Sequence, residues 1–105
     1  MNEVILSGRL TKDPSLKRTT GGRDVCSFTI ATSEEHTQFI NCDAWGTTGV
    51  NVSKYLRKGS QVFLRGSIQV SKYDANGQTK YVTKVIALSV EFGDRPKEEF
   101  EDLPF

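Results

Sequence analysis

Two long alternating runs joined at an Asn-Gly dipeptide constrain this chain more tightly than any other feature. Residues 61–71 set Val62, Leu64, Gly66, Ile68 and Val70 against Phe63, Arg65, Ser67 and Gln69. Residues 79–92 set Val82, Ile86, Leu88, Val90 and Phe92 against Tyr81, Thr83, Val85 and Ala87, with Lys84 interrupting the first set at what reads as an open end. A period of two marks a β-strand, because successive side chains leave opposite faces. Asn76-Gly77 tolerates the positive φ angles of a two-residue hairpin loop, so the turn is expected at Asp74–Gly77. Apolar residues on both faces of the last strands point to packing between subunits.

Three shorter runs come first. Val4–Leu10 is a strand followed by a turn at Asp13-Pro14, with Leu16-Lys17-Arg18 as a short continuation and Thr19–Gly22 as a turn. Val25–Thr32 alternates Cys26, Phe28 and Ile30 against Ser27, Thr29 and Ala31. A tight connection at Ser33–His36 leads to a third strand over Gln38–Trp45, which Gly46 ends. Asn51–Lys58 is the one helical segment: Val52, Tyr55 and Leu56 fall at helical spacing and Gly59 terminates it. Strands this long on 105 residues hide their edges by curling into a barrel. The expected fold is all-β, a five-stranded Greek-key barrel with a short helix between strands 3 and 4, the oligonucleotide-binding (OB) arrangement.

The net charge of +1 conceals a division. Residues 1–93 carry 12 Lys+Arg and 8 Asp+Glu, a net of +4; residues 94–105 carry 2 and 5, a net of −3. The second segment has no strand or helix pattern, and Pro96 and Pro104 interrupt both. It is read as an unstructured tail behind a domain spanning 1–93.

Several functions are excluded on chemistry. No stretch approaches the roughly 20 apolar residues of a membrane span, and Met1-Asn2-Glu3 opens no signal peptide, so a cytoplasmic chain is expected. Cys26 and Cys42 read as buried free thiols in a reducing cell. One histidine and no close cysteine pair leave no metal constellation, and no cofactor is expected. His36 is the sole candidate general base, with no nucleophile fixed beside it, and Gly21-Gly22 lies between strands and lacks a phosphate-loop lysine. An enzyme is not expected.

Binding of single-stranded nucleic acid fits better, because it needs aromatic faces for bases and cations for phosphates along one surface. Phe39, Trp45 and Tyr73 occupy strand positions from which a ring can stand out of a sheet, amid lysines and arginines. Trp45 at a strand end suits a core as well as a stacking platform. Phe28 and Phe92 read as core, Phe63 as core or interface, and Tyr55 as the anchor of the helix. A barrel that mediates protein assembly, of the primosome type, and an RNA-binding module are the alternatives. At the far end, Glu101-Asp102-Leu103-Pro104-Phe105 places an apolar tip behind acidic residues. A partner pocket rimmed by Lys or Arg could hold the Phe105 ring and clamp its carboxylate.

Taken in order, these segments resemble the bacterial-type single-stranded-DNA-binding (SSB) family along essentially the whole chain. The resemblance is carried by Asn2–Leu10 with Asp13-Pro14, Phe28–Thr32, Trp45-Gly46, Tyr55–Val62, Gly66, Tyr73 and Asp102–Phe105. It implies an OB fold assembled as a homotetramer, with dimeric relatives also known, that coats single-stranded DNA during replication, recombination and repair. It implies stacking by Phe39, Trp45 and Tyr73, with His36 at a fourth position that commonly holds tryptophan. It further implies phosphate contacts at Lys17, Arg57, Lys58 and Lys72, with Arg9 and Arg65 as weaker candidates. Asp102, Leu103, Pro104 and Phe105 would dock replication and repair proteins. The loop from Thr32 to Phe39 and the linker before residue 102 are shorter than the family's usual ones, which points to a phage, plasmid or accessory form in a nucleoid or an infected host.

Overall fold

The structure, a computed structural model, describes residues 1–32 and 35–93. Six strands and one helix follow in the order β1 (Val4–Leu10), β2 (Ser15–Arg18), β3 (Asp24–Ala31), β4 (Phe39–Trp45), α1 (Gly46–Tyr55), β5 (Gln61–Ala75) and β6 (Gln78–Phe92). The short continuation at residues 16–18 forms a strand of its own, β2, paired antiparallel to the start of β3. Five of the strands carry the expected plan. Their ladders run β1–β5, β5–β6, β6–β4, β4–β3 and β3–β1, a circuit that returns to its start. All of these pairings are antiparallel except β4–β6. With α1 between β4 and β5, this is the OB arrangement.

Alternation decides what lies inside. Cys26, Phe28 and Ile30 on β3 meet Cys42 and Ala44 on β4, Val62 and Leu64 on β5, and Val85 and Ala87 on β6 in one buried cluster. Val52 on the helix and Leu56 just beyond its end close it. Each of the larger side chains in that cluster contributes on the order of 1.5–3 kcal/mol by leaving water.

The helix departs from expectation. It spans Gly46–Tyr55 and ends before Leu56, whose φ of −111° is extended, so it begins five residues before Asn51 and stops short of Lys58. Thr47, Thr48 and Gly49 are poor helix formers and masked its first turn. Packing supplies the reason that propensity lacks: a side chain on Gly49 would collide with the Ala44 carbonyl, so only glycine lets the helix lie this close to β3 and β4. Gly46 opens the turn with φ +62°, a left-handed value that favours glycine.

Along β6 the inward set is Val85 and Ala87, not Ile86 and Leu88. The register explains the switch. Arg65 pairs with Ser89 and Gly66 with Ala87, so Leu88 is an extra residue in a β-bulge and stands 65% exposed. Beyond the bulge Val90 turns inward against the core. Phe92, expected in the core, is 45% exposed and lies 5.9 Å from the Tyr55 ring. That contact joins the helix end to β6, although Tyr55 is itself exposed.

The hairpin turn forms at Asn76-Gly77, with φ of +52° and +77°, the two positive values of a type I′ loop. From Ile68 to Ala75 and from Gln78 to Lys84, β5 and β6 pair only with each other among the described residues. They form a two-stranded arm projecting from the closed circuit. Asn2 steadies its root, its side-chain amide bonding both the carbonyl and the N–H of Ile68 at 2.8 and 2.9 Å.

Candidate nucleic-acid interface

The outward residues of β4 are Phe39, Asn41, Asp43 and Trp45, since Cys42 and Ala44 point into the core. Phe39 and Trp45 thus bracket one strand face over roughly 20 Å. Register carries that face sideways. Across β3 it continues through Ala31, Thr29, Ser27 and Val25, and Lys17 on β2 pairs beside Val25. Across β6 it runs through Ile86, opposite Asp43, and Lys84, then to Ser67 and Gln69 on β5. Two and four residues further out on the same side come Ser71 and Tyr73, with Tyr73 directly opposite Lys80. Phe39, Trp45 and Tyr73 therefore share one continuous surface.

Trp45 is half-buried and Phe39 and Tyr73 are exposed. The Arg23 guanidinium carbon stands 4.8 Å from the Trp45 ring centroid. Arg23, Trp45, Ser67, Gln69 and Ile86 line one shallow groove beside the root of the arm. A second groove, lined among others by Lys12, Lys17, Asn41, Asp43 and Lys84, runs between the two ends of β4.

The floor of that second groove is a fixed polar network. The Ser27 hydroxyl donates to Asp43 Oδ1 at 2.8 Å, and Lys84 Nζ donates to Asp43 Oδ2 at 3.2 Å. The Thr29 hydroxyl donates to Asn41 Oδ1 at 2.9 Å. Asp43 is only 9% exposed, so its carboxylate needs both partners. Directly beneath, burial first and the Asp43 charge second push the thiols of Cys26 and Cys42 up to about 11 and about 12.

The cations implied by the resemblance divide among several places. Lys17 lies on the aromatic surface. Arg9 sits in the row Arg9, Ala31, Phe39, with its Nη1 donating to the Gly59 carbonyl at 2.9 Å. Arg57 and Lys58 occupy the loop after the helix; the Arg57 N–H donates to Ser60 Oγ and the Lys58 N–H to Asp13 Oδ1. Arg65 lies two residues before Ser67 on the same side of β5, beside Ile5 of β1, and pairs with Glu3 at 3.2 Å. Lys72 is on the arm face opposite Tyr73, because adjacent residues in a strand point apart. His36 is exposed in the connection whose base is closed by the Thr32 N–H donating to the Gln38 carbonyl and the Gln38 N–H donating to Thr32 Oγ1. Asp102, Leu103, Pro104 and Phe105 lie outside the described residues.

Lys12, Arg23 and Lys84 were legible in the sequence only as cations around the rings; two specific pairings were not, Arg23 over Trp45 and Lys84 on Asp43. One signal was available for the second. Lys84 breaks an apolar set because its register places it against a buried carboxylate.

The model of the single-strand binding protein family matches residues 1–93. Single-stranded DNA-binding protein 1 of Clostridium acetobutylicum is 40% identical over 93% of this chain and 98% of its own length. The single-stranded DNA-binding protein of Bacillus cereus is 44% identical over 88% of this chain, which spans 59% of that relative. That of Fusobacterium nucleatum is 41% identical, covering 90% of this chain and 68% of its own. The chain belongs to the single-strand binding protein family, a family of non-enzymatic DNA-binding proteins. Among the described residues no helix is long and apolar enough to cross a membrane.

Proposed function

We propose that this chain binds and protects single-stranded DNA without strong sequence preference, stacking bases on Phe39, Trp45 and Tyr73. The observation that carries the reading is the placement of those three rings on one continuous face, beside Lys17, Lys80 and Lys84. Stacking contributes roughly 1–3 kcal/mol per base whatever the base, and phosphate contacts add salt-sensitive affinity. His36 serves as a further stacking ring in the connection before Phe39, and Arg9, Arg57, Lys58 and Lys72 hold phosphates as the strand continues around the domain; Arg65, directly across from Ile5 and paired with Glu3, is left to the subunit-facing patch. Competition among matched ssDNA, RNA and duplex DNA for the protein tests this: ssDNA must win over both.

Residues 1–93 act as the binding domain and 94–105 as an acidic appendage whose Asp102–Phe105 segment docks replication, recombination and repair proteins in the cytoplasm. The charge contrast between the two parts supports weak competition of the appendage with DNA for the basic surface. Deleting residues 94–105 is expected to raise ssDNA affinity at low salt; unchanged affinity would count against the competition.

The assembly is a homotetramer. Its support is an apolar patch at the opposite end of β5 from Tyr73: Ile5 is 76% exposed, and Phe63 and Leu88 are exposed with it on the outer side of β1, β5 and β6. Burial of this patch between copies covers the outer apolar face of the long strands, whose inner face already packs in the core. Mass in solution, with and without oligo-dT, counts the subunits.

A further inference from the structure

The arm pairs an aromatic ring with a lysine on both of its faces. On the face shared with Trp45, Tyr73 lies directly across from Lys80. On the reverse face the order is exchanged, with Lys72 on β5 directly across from Tyr81 on β6. Tyr81 is 67% exposed, so fold stability does not account for it. Directly opposed residues hold their Cβ atoms about 5 Å apart, close enough for one ring and one ammonium to meet a base and its phosphate together.

We propose that Tyr81 and Lys72 form a second stacking and phosphate unit, and that single-stranded DNA passes over the edge of the arm from Tyr73 to Tyr81. The inference rests on the binding reading above and adds a residue to it. Three observations favour DNA as the occupant. The arm carries Lys72, Lys80 and Lys84 against Asp74 alone, and Asp74 already accepts the Thr79 hydroxyl at 3.2 Å. The reverse face is continuous with the first across a ribbon only two strands wide, so a flexible polymer crosses a single strand to change faces. The tip is an Asn-Gly turn, without bulky side chains to block the passage. Ile68 and Val70, both exposed, line the same reverse face and extend the apolar floor towards the circuit.

The test uses the full chain with two oligo-dT lengths, at the lower and upper ends of the roughly 4–16 nucleotides that one OB fold occupies. Tyr81→Ala is expected to weaken the longer oligomer about tenfold, a loss within the range for one stacked base, and to leave the shorter one bound as before. Tyr81→Phe, which keeps the ring, is expected to bind both like the unaltered chain. Tyr73→Ala is expected to weaken both lengths. Normal binding of both lengths by Tyr81→Ala, beside a weakened Tyr73→Ala, would overturn the second unit and leave the first intact. A changed solution mass with unchanged DNA affinity would overturn it too, assigning the reverse face to a second copy of the chain. Failure of the unaltered chain to bind either length would instead remove the underlying reading.

Discussion

Arg23 holds its guanidinium 4.8 Å from the centre of the Trp45 ring. In the proposed binding mode the ring meets DNA with a cation already beside it, so a base either takes the opposite side or inserts beside Arg23. Both arrangements combine stacking with charge in one place.

Arg23→Ala is therefore expected to shift the fluorescence of Trp45, the sole tryptophan, before any DNA is added. The same substitution should flatten the salt dependence of oligo-dT binding by about 0.7 in log–log slope, the value for one phosphate contact on a single strand. Spectra and titrations at several salt concentrations measure both effects. An unchanged slope would mean that Arg23 orients the ring without touching phosphate.

Asp43 is a carboxylate on the surface proposed to receive a polyanion. Asp43→Asn keeps an acceptor for Ser27 and releases Lys84 from its pair. Oligo-dT affinity should rise about fivefold at low salt, since one unit charge a few ångströms away contributes about 1 kcal/mol in water. The gain should vanish at high salt. Stability should fall by about 1 kcal/mol or less, because Lys84 is partly exposed and solvent screens the pair. Calorimetric titration and thermal melts check the two signs.

The thiols of Cys26 and Cys42 rise from 9.0 to about 11 and about 12, through burial first and Asp43 second. Each keeps its proton to higher pH in the folded chain than in the unfolded one. Their contribution to stability is complete below pH 9 and is lost as pH rises towards 11 and 12. Denaturant midpoints should accordingly fall between pH 8 and pH 10 (both about), and a thiol reagent should label neither cysteine until the chain unfolds.

Much of the fold could be read from local pattern. The alternation in residues 24–31 and the Asn76-Gly77 turn specify their own geometry, because a period of two and a tolerated positive φ are properties of the residues themselves. What local pattern missed depended on contacts. The first turn of the helix is made of weak helix formers and exists because Gly49 permits close packing. The bulge at Leu88 reverses the inward set of β6, and only the pairing of Arg65 and Gly66 with Ser89 and Ala87 reveals it. The site divides in the same way. Phe39, Trp45 and Tyr73 were named individually from the chain, but their common face follows from the β4–β6 and β5–β6 registers, which no single segment contains. Arg23 and Asp43 lie far from their partners in sequence, so their roles emerged only with the fold.

The most direct measurement is titration of the full chain with oligo-dT, following Trp45 fluorescence at a series of salt concentrations. Saturable quenching, with an affinity that falls linearly as log salt rises and weakens about tenfold or more in Phe39→Ala and Tyr73→Ala, is the predicted result. No quenching and no salt dependence would contradict the account.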